Sequence, residues 1–114
     1  NMRSLLLAVC LVLALHFGEA AMSCDSVMGE LNPCISFVLQ GGSVSTSCCN
    51  GVTMLNNQAQ TPAERRSVCR CIKYDINGVP FSPKQLDNAL NIPSKCGVDL
   101  PYRISPATNC DSVN

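Results

Sequence analysis

The sequence predicts an all-α protein, a four-helix disulfide-stapled bundle with a long irregular C-terminal tail, and three observations carry that expectation. Eight cysteines stand in the order C-x9-C-x13-CC-x19-CxC-x24-C-x13-C, at Cys24, Cys34, Cys48, Cys49, Cys69, Cys71, Cys96 and Cys110. Apolar residues recur at helical spacing in several stretches, with cap and proline signals beside them. No stretch of five or more residues alternates strictly between apolar and polar, so no strand is predicted.

Residues 1–20 read as a secretory signal. Arg3 is followed by an apolar run of eleven residues, Leu5 to Leu15, too short for the roughly twenty that a spanning helix needs. Gly18-Glu19-Ala20 supplies a small-x-small cleavage site, which leaves residues 21–114 as one domain. Cleavage there removes the odd cysteine, Cys10, and the only histidine, His16. Eight cysteines in a short secreted chain imply four disulfides.

In the first helix Val27, Leu31, Cys34, Ile35 and Val38 share a face, Pro33 kinks it by removing a donor, and Gly41-Gly42 ends it. The second runs from about Val44 to Asn57 with Cys48, Val52 and Leu55 on one side. The third opens on Thr61 as N-cap, Pro62 at the first position and Glu64 to complete a capping box, and turns Val68, Cys69, Ile72 and Ile76 inward. After a turn at Asn77-Gly78, Ser82 and Pro83 start a shorter helix with Leu86 and Leu90, closed by Pro93. From Cys96 onward Pro101, Pro106 and isolated apolar residues give an aperiodic tail fixed at Cys96 and Cys110.

After cleavage seven basic residues face seven acidic ones, which offers nothing for nucleic acid or for a cationic membrane peptide. Four aromatic residues remain (Phe37, Tyr74, Phe81, Tyr102) and there is no Trp, so aliphatic side chains and cystines do most of the packing. In a core this small each disulfide adds about 2–4 kcal/mol by restricting the unfolded chain. Stability then depends less on a filled interior, which leaves room for a cavity. Cysteine-only metal binding fits poorly, because structural zinc sites favour two to four residues between paired ligands. No metal, cofactor or redox dithiol is expected. With no mature histidine, phosphate loop or Gly-x-Ser-x-Gly elbow, neither is catalysis. No Asn-x-Ser/Thr sequon is present.

Several segments add to the cysteine order: Cys48-Cys49-Asn50-Gly51-Val52, Thr61-Pro62-Ala63-Glu64-Arg65, Cys69-Arg70-Cys71-Ile72-Lys73, Pro93-Ser94-Lys95-Cys96-Gly97-Val98 and Pro101-Tyr102-Arg103-Ile104-Ser105. Together they resemble plant non-specific lipid-transfer proteins of type 1, over essentially all of residues 21–114. The cysteine order alone is shared with seed albumins and with alpha-amylase/trypsin inhibitors. Sequence by itself leaves 105 cysteine pairings open. The resemblance implies Cys24 with Cys71, Cys34 with Cys48, Cys49 with Cys96, and Cys69 with Cys110, around a hydrophobic tunnel that admits an acyl chain. Two departures are visible: Glu64 stands where the family usually has Asp, and the segment from Cys71 to Cys96 is slightly longer than usual.

By the same resemblance Arg65 and Tyr102 approach the lipid head group, a guanidinium holding a carboxylate or phosphate and a phenol adding a hydrogen bond. Read without it, Arg65 pairs with a surface acid and Tyr102 packs against the tail. The implied tunnel lining is Leu31, Ile35, Val52, Leu55, Ile72, Leu86, Leu90, Ile92, Leu100, Ile104 and Val113, each of which alone reads as a core residue. The expected partners are fatty acids, acyl-CoA and phospholipids, with transient contact at membrane surfaces, in a monomer secreted to the apoplast or cell wall. Two other readings compete: an inhibitor presenting the loops Gly41 to Thr46 or Ile76 to Ser82, and a defence protein that disturbs membranes.

Overall fold

The computed structural model describes residues 1–8 and 22–114. Residues 2–8 are helical and exposed; the expected cleavage site, Cys10 and His16 lie outside the described residues. From Cys24 onward the elements are α1 (Cys24–Leu31), a 3-10 turn (Asn32–Cys34), α2 (Ile35–Gln40), α3 (Thr46–Gln58), α4 (Pro62–Gly78), α5 (Pro83–Lys95) and a second 3-10 turn (Cys110–Ser112), with no strand among the described residues.

Local chemistry sets these bounds. The 3-10 turn at Asn32-Pro33-Cys34 separates α1 from α2, which is how the kink expected at Pro33 is realised. Gly41 (φ 73°) and Gly42 (φ 87°) then take a left-handed exit from α2 that a Cβ would resist. Ser45 caps α3 through a bond from the Cys48 N–H (3.1 Å). Thr61 caps α4 through the Glu64 N–H (3.1 Å), while the Glu64 carboxylate takes the Thr61 hydroxyl (2.9 Å). A reciprocal capping box forms instead at Ser82 and Gln85, where the Ser82 N–H donates to Gln85 Oε1 at 2.9 Å.

Two expected boundaries move. α4 continues through Asn77 and Gly78 and leaves the helix at Val79 in an extended conformation. Gly78 keeps an ordinary negative φ, so the turn potential of Asn-Gly goes unused. α5 runs past Pro93 to Lys95, because a proline deletes one donor yet leaves later residues able to bond back: the Cys96 N–H reaches Ile92 O at 3.0 Å.

Four disulfides, Cys24–Cys71, Cys34–Cys48, Cys49–Cys96 and Cys69–Cys110, join α1 to α4, the first turn to α3, α3 to the end of α5, and α4 to the tail. The adjacent Cys48 and Cys49 thus staple α3 to two different elements. Among the described residues two larger apolar clusters form the interior, Val27, Leu55, Ala59, Val68, Ile72 and Ile76 between α1, α3 and α4, and Phe37, Val52 and Ile92 between α2, α3 and α5, and a third, Cys69, Cys110 and Val113, lies under the tail. α1 crosses α3 so closely that a Cβ on Gly51 would overlap the Glu30 carbonyl.

The tail has no regular structure for most of its length, and α4 holds it. Arg65 Nε donates to Asn114 O (2.8 Å), Arg66 Nε to Val113 O (2.8 Å), Lys73 Nζ to Thr108 O (2.8 Å), and Arg70 pairs with Asp111 (2.5 Å). Arg66, Arg70 and Lys73 are spaced four and three apart, one stripe of the helix. The Arg70 hydrogen bond holds the Asp111 carboxyl below its ordinary value, but both side chains are largely exposed and the pair adds little to stability.

Candidate functional site

Between the two apolar clusters the helices leave a cavity of about 790 Å³. Leu31, Ile35, Val38 and Leu39 of the kinked first helix form one wall, and Val52 of α3 and Ile72 and Ile76 of α4 form another. Ala89 and Ile92 of α5, Ile104 of the tail, and Val79 and Phe81 of the loop after α4 complete it. The cystine sulfur of Cys34 and the thioether of Met28 also face it. Such a volume lies in the range of ligand pockets, about 300–1,000 Å³.

The polar part of the lining is confined to the C-terminal end of α4, at Tyr74, Asp75 and Asn77, and among the described residues Asp75 is the only charged one in the wall. Several apolar residues at the opening are exposed: Ile35 48%, Leu39 47% and Val79 47%. The opening is therefore greasy at its rim and acidic at one edge.

Six of the anticipated lining residues meet here: Leu31, Ile35, Val52, Ile72, Ile92 and Ile104. Leu55 is buried in the cluster beside Ile72, and Leu86 packs against that cluster. Val113 is buried with Cys69 and Cys110 under the tail. Leu90 and Leu100 are half-buried and do not line the cavity. On α5 the cavity face carries Ala89 and Ile92, three apart; Leu90 is rotated about 100° from Ala89. Val38, Ile76 and Phe81 were readable as apolar positions but not as lining, and Met28, Leu39, Tyr74 and Ala89 carried no sequence signal for it.

Arg65 and Tyr102 do not line the cavity. The Arg65 guanidinium is committed to backbone: besides Asn114 O, it donates to Gln60 O at 3.0 Å and Ala59 O at 3.5 Å. Tyr102 packs against the clusters that contain Ile72 and Val113, and burial pushes its phenol up to about 12.

A smaller polar depression of about 370 Å³ lies between Gly41-Gly42 and α5, bordered by Lys84, Asp87, Asn91 and Lys95. Its buried amide, Asn88, donates to Val38 O (3.2 Å) and Phe37 O (3.4 Å), and Lys95 sits 5.8 Å from the Phe37 ring. With few apolar walls it offers no place for a hydrocarbon chain.

Comparison with known proteins decides the family. The model described as "Protease inhibitor/seed storage/LTP family" matches residues 24–110. Non-specific lipid-transfer protein 6 of Arabidopsis thaliana is 64% identical over 112 residues, covering 98% of this chain and 99% of its own length. The chain belongs to the plant non-specific lipid-transfer proteins. Solved structures of the family share its fold: barley non-specific lipid-transfer protein 1 in complex with lysophosphatidylcholine superposes with a TM-score of 0.74 at 41% identity, over 82% of this chain and 100% of that one. The wheat protein complexed with two molecules of phospholipid gives 0.73 at 41% identity, over 81% and 100%.

Proposed function

We propose that this chain is a secreted, non-catalytic carrier that binds the acyl chains of fatty acids, acyl-CoA and phospholipids and exchanges them between surfaces. The observation that carries the reading is the 790 Å³ largely apolar cavity with a single charged residue among the described residues of its wall. Such a wall recognises length and hydrophobicity at about 0.8 kcal/mol per buried methylene and has little directional preference, so many lipids fit. The lipids named for the barley and wheat structures are of this kind. Exposed Ile35, Leu39 and Val79 give the opening an apolar rim suited to transient contact with a membrane surface. The working unit is a monomer, and the signal at residues 1–20 sends residues 21–114 to the apoplast or cell wall, where a part in cuticle assembly or defence is open to it.

The head-group roles of Arg65 and Tyr102 belong to the opposite end of the site. Leu55, Leu86 and Tyr102 pack in the cluster that shares Ile72 and Ile104 with the cavity, so a chain parting that cluster would extend toward the tail. There Arg65 keeps one amino group of its guanidinium without a hydrogen bond among the described residues.

The test is displacement of a fluorescent fatty acid from oxidised residues 21–114 by unlabelled fatty acids and lysophospholipids, beside a reduced and alkylated sample. Saturable binding that disappears on reduction supports the carrier. No binding by the oxidised protein overturns it.

A further inference from the structure

We infer that the cavity opening at the end of α4 is a subsite for a positively charged head group, an ammonium carried on a single acyl or alkyl chain; this deepens the carrier reading and rests on it. Three features of the opening agree in sign. Asp75 is the only charged residue lining the cavity, is half-buried, and has no salt bridge or side-chain hydrogen bond among the described residues. Among the described residues no Lys or Arg lines the cavity. Lys73 and Arg70, the cations nearest in sequence, are turned to the tail, on Thr108 O and Asp111.

The second feature is the helix end itself. Asp75, Asn77 and Gly78 belong to the last turn of α4, a helix of 17 residues, and all three line the cavity. The last carbonyls of a helix lack intrahelical partners and carry the negative end of its dipole. Helices commonly place a Lys or Arg in that turn; α4 has none there. Its negative end therefore faces the opening without compensation.

The third is Tyr74, which lines the same edge and is 79% exposed. An aromatic face beside a carboxylate and free carbonyl ends is the combination that holds a quaternary ammonium, through cation–π attraction and Coulomb attraction together. With the methylenes inside, between Val52, Ile72 and Ile92, an ammonium at the chain's end meets these groups, whereas a carboxylate there meets repulsion. The opening thus adds a charge preference to a wall that reads only hydrophobic length.

Calorimetric titration of the oxidised protein with dodecyltrimethylammonium and with laurate, each below its micellar concentration, tests this at matched chain length. The readout is the ratio of the two affinities. Asp75→Asn, nearly isosteric, lowers the ratio in favour of the ammonium by about 5–10-fold, the effect of one nearby charge at the protein surface. Asp75→Glu restores most of it, and Tyr74→Leu lowers it independently. A ratio unchanged between the parent and Asp75→Asn, with both amphiphiles still binding, overturns the subsite and leaves the carrier standing. Binding of neither amphiphile by the oxidised parent overturns both.

Discussion

Tyr102 and Arg65 illustrate how far a side chain's chemistry is set by what surrounds it. Burial of the phenol favours its neutral form, so its pKa rises in the folded state to about 12. The linkage follows in sign: below about pH 10, the ordinary tyrosine value, the phenol is neutral in both states and its contribution to stability is complete. Above that the unfolded chain ionises first, and the contribution is lost as pH rises through 12. In a Tyr74→Phe variant, whose remaining tyrosine is Tyr102 and which has no Trp, tyrosinate absorbance should therefore rise with a midpoint near 12 rather than near 10. Arg65 spends its donors on Asn114, Gln60 and Ala59, which ties the C-terminus to the α3–α4 junction. Arg65→Ala should weaken binding of acidic lipids more than of neutral ones if its spare amino group meets a head group; equal loss for both would assign it to the tail alone. At Ala89 a larger side chain enters the cavity directly, so Ala89→Phe is expected to weaken displacement of the fluorescent fatty acid at least about tenfold, the effect of excluding two methylenes, while far-UV circular dichroism stays helical.

At the scale of elements, α3 and α1 are held by a contact that only glycine allows. Gly51→Ala should lower stability by about 1–3 kcal/mol, because the added methyl meets the Glu30 backbone, which is part of a helix and cannot swing aside. Gly29→Ala is the matched control: it lies within α1, nothing stands within 4 Å of its Cβ position, and it should stabilise by about 0.5–1 kcal/mol through helix propensity. Thermal unfolding of the two variants checks both signs. Much of this level was legible beforehand. Thr61-Pro62 and Ser82-Pro83 mark helix starts by missing donors and caps, and the Pro33 kink follows from its ring. The ends of α4 and α5 were less legible, since the extra residues Asn77-Gly78 and Ser94-Lys95 conflict with local propensity and survive through backbone bonds. The stripe Arg66, Arg70, Lys73 has a helical period, yet its partners are 35–47 residues away in an aperiodic tail, and no local pattern announces them.

Across the whole molecule, four covalent links let a small helical shell stay closed around space it does not fill. That is why the cavity could be anticipated only through resemblance. Each lining residue, taken singly, has the signature of a core residue, and whether Leu55 packs or lines is decided by where the helices stop approaching one another. The segment between Cys71 and Cys96 brings Val79 and Phe81 onto the cavity wall and the end of α4, with Asp75, to its edge. A chain-length series follows from the wall's chemistry: shortening a fatty acid by two methylenes should weaken binding about 10- to 20-fold until the chain no longer spans the cavity.

The most direct test of the central claim is nuclear Overhauser contact between a carbon-13-labelled lauroyl chain of lysophosphatidylcholine and methyl groups of the oxidised protein. Contacts from chain methylenes to Val52, Ile72 and Ile92 are predicted, with Val113 silent. Contacts confined to exposed side chains such as Met54, or none to these three methyl-bearing residues, would contradict an internal acyl site.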